Sequence, residues 1–279
     1  MIGSRAPLMV TGGGLVATLL VAAGLVSLVW TPYALDVLDP TAAWRSPMAG
    51  HWLGTDGLGR DVFSRLTRGL LSSAVAGLVA TTMGVIVGVP LGLAAAAWRV
   101  TASWPVAGLS AFVGLPAIFT LVLLSLLTAP GLATAILALG IASIAPMIAT
   151  ARDGVRTIKG PVYFDAARLA GLSGIETFRR HVAPALARLV LAQGLRQGAA
   201  VILAEAAFGF LGLGAQPATI SLGVMLREAM AAGGQSPAAL LAPGIALLLL
   251  AGALLVAGAG LQQQTEPRLR SVGGFRGLA

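Results

Sequence analysis

Few residues in this chain have side chains suited to catalysis or metal binding. There is no Cys, which excludes a disulfide framework, a thiolate metal site and a cysteine nucleophile. The two histidines, His51 and His181, are far apart, so a helical His-Glu-x-x-His zinc site is absent. Lys159 is the single lysine and sits in Thr157-Ile158-Lys159-Gly160. No Gly-x-x-x-x-Gly-Lys-Ser/Thr string exists, so the chain cannot cradle ATP phosphates in a P-loop. Two features remain. Glu205 is the one acidic residue deep inside an apolar run, where a carboxylate is costly and suggests function. It could face a translocation path, or be a packed, hydrogen-bonded group near the outer membrane face. Arg196 is too distant to pair with it, at about 13.5 Å along a helix. The second feature is Asp56, Gly57, Gly59, Arg60 and Asp61, a compact, charged, glycine-rich turn. It reads either as a self-satisfied turn whose Asp caps a helix starting near Val62, or as a direct substrate contact. His51 reads as an interface residue, because no Cys, second His or dense carboxylate cluster accompanies it as a metal site would need.

The elements that position these residues must be membrane helices. Of 279 residues, 57% are hydrophobic and 10% charged, and the mean hydropathy is +0.91. Soluble domains run near 45–50% apolar and about 25% charged. Disordered, collagen-like and ordinary cytosolic enzyme classes are thereby excluded. A spanning helix needs about 20 apolar residues, and six segments qualify: Leu8 to Trp30, Leu70 to Trp98, Trp104 to Thr128, Gly131 to Ala151, Leu189 to Leu213 and Ala238 to Leu261. The first exceeds the roughly 7–15 residue core of a cleaved signal and reads as a retained anchor. Gly84, Gly88 and Gly92 put a smooth stripe on the second, suited to close helix packing. Pro90 should bend or end that helix. The third carries Pro116 inside it, the fourth has Pro146 near its end, and a tight turn at Pro130 makes these two a hairpin. Pro243 is tolerated in the first turns of the sixth.

The formal charge is +8, but it falls between apolar runs rather than in a patch, and aromatic residues are only 5%. Nucleic acid is therefore not an expected partner. With the N-terminus inside, twelve cationic residues lie in inner segments and five in outer ones. This bias places both termini in the cytoplasm. The organisation is an anchor and outer loop over 1–69, a core over 70–261 containing an inner loop over 152–188, and a tail over 262–279. Loops as long as 31–69 and 152–188 are usually functional. In the inner loop, Pro161 opens a helix-compatible stretch that Gly171 can end. Ser173 and Glu176 match a capping box for a second helix, which should stop before Pro184. Such a basic, amphipathic element could lie on lipid or insert into a groove on a partner.

The segment DAARLAGLSGIETFRRHVAP resembles the cytoplasmic EAA loop of binding-protein-dependent ABC importer permeases. The matching positions are Asp165, Ala166, Ala167, Gly171 and Pro184, with Arg179 in the same loop. Asp165 replaces the usual Glu and Ala183 the usual Leu. Two further strings, HWLGTDGLGRDVFSRL (51–66) and ILAEAAFGFLGLGAQPATISLGVML (202–226), resemble signatures of peptide/nickel-type permeases. The outer one contains His51, Gly54, Asp56, Gly59, Arg60 and Asp61. The second departs from the family's pattern, with Pro217-Ala218 for a proline pair and Leu222-Gly223 for Trp-Gly.

The resemblance implies an all-α integral membrane protein of six transmembrane helices, with the MetI-like architecture of type I ABC importer permeases, in the cell inner membrane. It implies half of a translocation path for di- or oligopeptides, or alternatively for nickel or another small solute. It implies a second homologous permease, separate ATPase subunits that bind the ATP and Mg, and an extracytoplasmic binding protein. No cofactor is expected on this chain. The inner loop would dock into the ATPase. A rival from another class is a proton-coupled secondary transporter using Glu205, for which an internal inverted repeat is expected and none is visible. An intramembrane enzyme would need a nucleophile–base pair within spans, and neither His lies in one.

Overall fold

The computed structural model describes residues 6–97, 116–158, 173–215, 219–233 and 235–273. Among these the regular elements are helices, joined by a largely non-helical segment over 27–61: α1 (Ala6–Val26), α2 (Val62–Ala97), α3 (Ala117–Leu127), α4 (Leu132–Ile158), the single turn α5 (Gly174–Thr177), α6 (Ala183–Leu211), α7 (Leu222–Ala231) and α8 (Pro237–Gly273). Five of them, α1, α2, α4, α6 and α8, are long and apolar enough to cross a membrane. The expected third span falls partly outside the described residues. Its described part is the apolar eleven-residue α3.

Backbone contact at glycine holds the bundle together. A Cβ on Gly84 would meet Ser143 at 2.7 Å, one on Gly88 would meet the Ile144 carbonyl and Met147 Cβ at 2.7 Å, and one on Gly92 would meet the Ile148 carbonyl at 2.5 Å. The stripe read from the sequence is thus where α2 lies against α4. Farther up α2, Gly77 receives Ile202 of α6. The outer spans pair the same way. Gly13 of α1 faces Ala253 and Ala257 of α8, and Gly260 of α8 faces Ala6 and Met9. Lipid tails are as apolar as the side chains, so close van der Waals packing replaces hydrophobic burial as the main cohesive force. The buried core between α2, α3, α4 and α6 comprises Ala80, Leu121, Ala135, Ala138, Leu139, Val201 and Phe208.

Several boundaries differ from the sequence expectation. Helix α2 starts at Val62, where the charged turn was expected to cap a helix and ahead of the apolar span read from Leu70; the Asp61 carboxylate caps it by accepting from the Ser64 N–H at 2.7 Å. Pro90 does not end α2, which continues to Ala97. Pro116 sits immediately ahead of α3 rather than within a helix among the described residues. Helix α4 runs past Ala151 to Ile158, and α8 runs past Leu261 to Gly273.

The inner-loop helix does not stop before Pro184. Chain from Gly174 continues through a π-turn, Phe178–Val182, directly into α6. The Ala183 N–H bonds the Phe178 carbonyl, five residues back. Proline lacks an N–H and its ring crowds the carbonyl four residues earlier. The wider turn relieves that crowding, so the helix passes the proline without breaking.

Candidate functional site

The outer loop is a built structure. Its backbone closes on itself through Trp44 N–H to the Asp56 carbonyl (3.1 Å), Thr55 N–H to the Arg45 carbonyl (3.1 Å) and Asp56 N–H to the Arg60 carbonyl (3.0 Å). Gly54 and Gly59 both have φ +74°, a region closed to most side chains. A Cβ at either would also run into backbone of the facing strand of loop, at Arg45 or Asp39. These two glycines are therefore geometric requirements of the turn.

The charged residues of the turn have distinct tasks. Asp56 Oδ1 accepts the Leu58 and Arg60 N–H groups at 2.9 and 3.0 Å. Its Oδ2 accepts from Arg60 Nε at 2.7 Å and from Arg65 Nη1. Asp61 Oδ2 takes both the Ser64 N–H and its hydroxyl, at 2.7 and 2.8 Å. Asp61 Oδ1 lies 2.9 Å from His51 Nδ1, and His51 stacks on Tyr33 with ring centroids 4.3 Å apart. His51 is thus held between a carboxylate and a ring. Among the described residues no group of three potential metal ligands occurs.

Two further residues complete the cluster. Glu228 Oε2, on α7, accepts from Arg60 Nη2 at 3.0 Å and Arg65 Nη1 at 2.7 Å. Arg65 is in the first turn of α2 and its side chain is only 2% exposed. Four charges thus alternate across the junction of outer loop, α2 and α7. They border a cavity of about 390 Å³ walled by Trp44, Leu58, Val62, Met225 and Ala239. Sequence reasoning did not single out Arg65 or Glu228. They lie 163 residues apart, and no local pattern announces such a pair.

Glu205 is fully buried within the chain, where the Ser73 hydroxyl of α2 donates to its Oε2 at 2.9 Å. Arg196 turns the other way, to Gln193 at 2.6 Å and to Gln262 of α8. Gln197 bridges α6 to α4 through the Ser143 hydroxyl at 3.0 Å.

At the opposite end of the bundle, Ser173 and Glu176 form a capping box. The Ser173 backbone N–H and then its hydroxyl hold the Glu176 carboxyl below the usual range. Phe178, Val182 and Leu186 seat this segment on Val155 and Ile158 of α4 and on Leu93 and Ala96 of α2. Ile175, Arg179, Arg180 and Pro184 are exposed. Asp165, Ala166, Ala167 and Gly171 lie outside the described residues.

The segment that seats on α2 and α4 falls within a stretch, residues 88–271, that matches the family described as binding-protein-dependent transport system inner membrane component. The chain belongs to this family. It is an inner-membrane, multi-pass permease subunit of ABC importers. Over 261 residues it is 31% identical to the glutathione transport system permease protein GsiD of Pectobacterium atrosepticum, covering 92% of this chain and 86% of that one. Over 235 residues it is 29% identical to the dipeptide transport system permease protein DppC of Alkalihalophilus pseudofirmus, covering 84% and 77%. The permease also resembles a chain of the inward-facing MetNI methionine ABC transporter, with a TM-score of 0.56 at 18% identity, over 75% of this chain and 96% of that one. That likeness concerns the fold. Family membership disfavours the solitary proton-coupled carrier.

Proposed function

We propose that this permease forms half of the translocation path of an ATP-driven importer for di- and oligopeptides. Separate ATPase subunits supply ATP hydrolysis, a second homologous permease completes the path, and an extracytoplasmic binding protein delivers cargo. The observation that carries the cargo class is its similarity, across most of its length, to permeases named for glutathione and dipeptide transport. Glutathione is a tripeptide, so the two names share one chemistry.

Coupling to the ATPase is assigned to the inner segment containing Asp165, Ala166, Ala167, Gly171, Arg179 and Pro184. In support, its described part exposes Ile175, Arg179 and Arg180 on one side and anchors Phe178, Val182 and Leu186 on the other. A push on the exposed side is transmitted to the ends of α2 and α4 and along α6, which continues from it without a break. The distribution of Lys and Arg supports a cytoplasmic position for both termini.

The test is uptake by a strain lacking this gene, offered labelled short peptides and, separately, labelled nickel. Peptide uptake should be lost, and restored by the natural chain. Gly171→Trp should insert in the membrane yet fail to restore uptake. Loss of nickel uptake alone would move the permease to the metal branch.

A further inference from the structure

Helices α1 and α2 meet closely at their outer ends, where a Cβ on Gly24 would reach the Leu71 backbone N at 3.0 Å. Toward the cytoplasm α1 follows α8 instead, through Gly13 and Gly260. The fork leaves a groove of about 730 Å³ along the seam of α2 and α6, to which α1 contributes only Val21 and Leu25. Leu78 and Leu191 on its walls are 69% and 57% exposed, so it opens sideways to the bilayer. Apart from Thr81 and Thr82, every residue lining it is apolar or glycine. A water molecule needs about two to four polar partners; hydrocarbon needs none.

The dimensions select the occupant. From Ala187 to Ile202 of α6 the groove runs about 22 Å. Its volume over that length gives a mean cross-section of about 33 Å². A helix of about 10–12 Å diameter has a cross-section of about 80–110 Å² and is too thick to seat in it. An extended acyl chain is slender enough. The crossing of α1 and α2 closes the outer end, so a chain enters from the cytoplasmic leaflet. Arg188 stands at that mouth. It follows Ala187 and lies one turn before Leu191 on the same face of α6. It is exposed, and no carboxylate among the described residues pairs with it.

We propose that this groove takes an acyl chain of an anionic phospholipid from the cytoplasmic leaflet, with Arg188 at the headgroup. Basic residues at the cytoplasmic mouth of a pocket between membrane helices favour such headgroups. The lipid braces α6 where that helix leaves the membrane for the inner segment. The inference rests on the orientation proposed above, with both termini in the cytoplasm.

The probe is phosphatidylglycerol with a photoactivatable group in one acyl chain, compared with phosphatidylcholine carrying the same group. Each is built into nanodiscs with the assembled permease–ATPase complex, and labelled residues are read by mass spectrometry. Phosphatidylglycerol should label 74–82 of α2 and 187–202 of α6 about fivefold over phosphatidylcholine, the worth of one Arg at an anionic surface. Arg188→Gln should abolish that preference and Arg188→Lys retain it. Gly194→Leu should lower labelling by both lipids. A Cβ there meets only Thr81 Cγ2, at 3.8 Å, so the side chain fills the groove without parting the helices. Labelling around Leu248, a 69% exposed residue of α8, is the reference and should stay unchanged. The comparison of lipids uses the natural chain, so a folding defect in a variant does not blur it. Equal labelling of the groove by the two lipids overturns the proposal. So does a groove labelled more weakly than the Leu248 face, the result expected if the second permease covers it. Orientation is read separately, from Arg188→Cys in this cysteine-free chain. Its modification by an impermeant reagent outside intact cells refutes the cytoplasmic placement itself, whereas failure of the lipid comparison leaves that placement standing.

Discussion

Gly88→Ala tests whether backbone contact between α2 and α4 holds this bundle. The new Cβ would sit 2.7 Å from the Ile144 carbonyl oxygen and 2.7 Å from Met147 Cβ. Ordinary contact between such atoms is about 3.5–4.0 Å, so the helices must part by roughly 1 Å. Neither obstacle is the flexible end of a side chain, and the strain cannot be relieved locally. Overpacking of this kind costs about 1–3 kcal/mol, which for a chain of this size is a melting shift of about 2–12 °C. Helix propensity works the other way, favouring Ala over Gly by about 1 kcal/mol. The control is Gly252→Ala in α8, where a Cβ meets nothing within 4 Å. It should be neutral or slightly stabilising. Both variants would be purified in detergent and their thermal unfolding followed by fluorescence-detected size exclusion. A Gly88→Ala protein that melts with or above the Gly252→Ala control refutes the claim that the stripe is a close-contact surface.

Four other outcomes follow from the geometry. Asp61→Ala removes the cap of α2 and the partner of His51, and should cost about 1 kcal/mol from the cap, read as a lower melting temperature than Asp61→Asn. Gln197→Ala and Ser143→Ala should be non-additive, with a coupling of about 0.6 kcal/mol, typical of interhelical bonds in membranes; a double-mutant cycle reads it. Glu205→Gln can still accept from Ser73 and should preserve ATP-driven uptake, whereas Glu205→Leu leaves that hydroxyl unpaired and should reduce the yield of folded permease. For Glu176, whose folded pKa lies below its ordinary 4.5, the sign is that of a depressed carboxylate. Its capping contribution is present above the unfolded value and lost as pH falls through the folded one. Amide exchange at 174–177 should accelerate across that acid window, and in Glu176→Gln the acceleration should be absent.

The spans were legible because each crosses an apolar medium by itself and must satisfy its own backbone. Length and composition alone therefore disclose α1, α2, α4, α6 and α8. The glycine stripe was legible for a related reason, since small residues four apart can serve little but close packing. The capping box at Ser173 and the Asp61 cap are local, formed within three residues, and local pattern sufficed. The stop expected before Pro184 was not borne out. A proline's effect depends on the hydrogen-bond register around it, and a π-turn changes that register without changing the sequence signal.

What the tertiary structure alone decided is which polar groups meet. The sequence marks Asp56, Arg60 and Asp61 as a charged turn, but nothing local sends Glu228 to Arg65 across 163 residues, or leaves one edge of Arg65 unpaired. Likewise Glu205 was conspicuous as a buried carboxylate, yet its partner, Ser73, lies 132 residues away. Each helix's place in the membrane is set by its own transfer energy, a property of short segments. Pairing of charges and hydroxyls depends on distances between helices, which exist only once the bundle has packed.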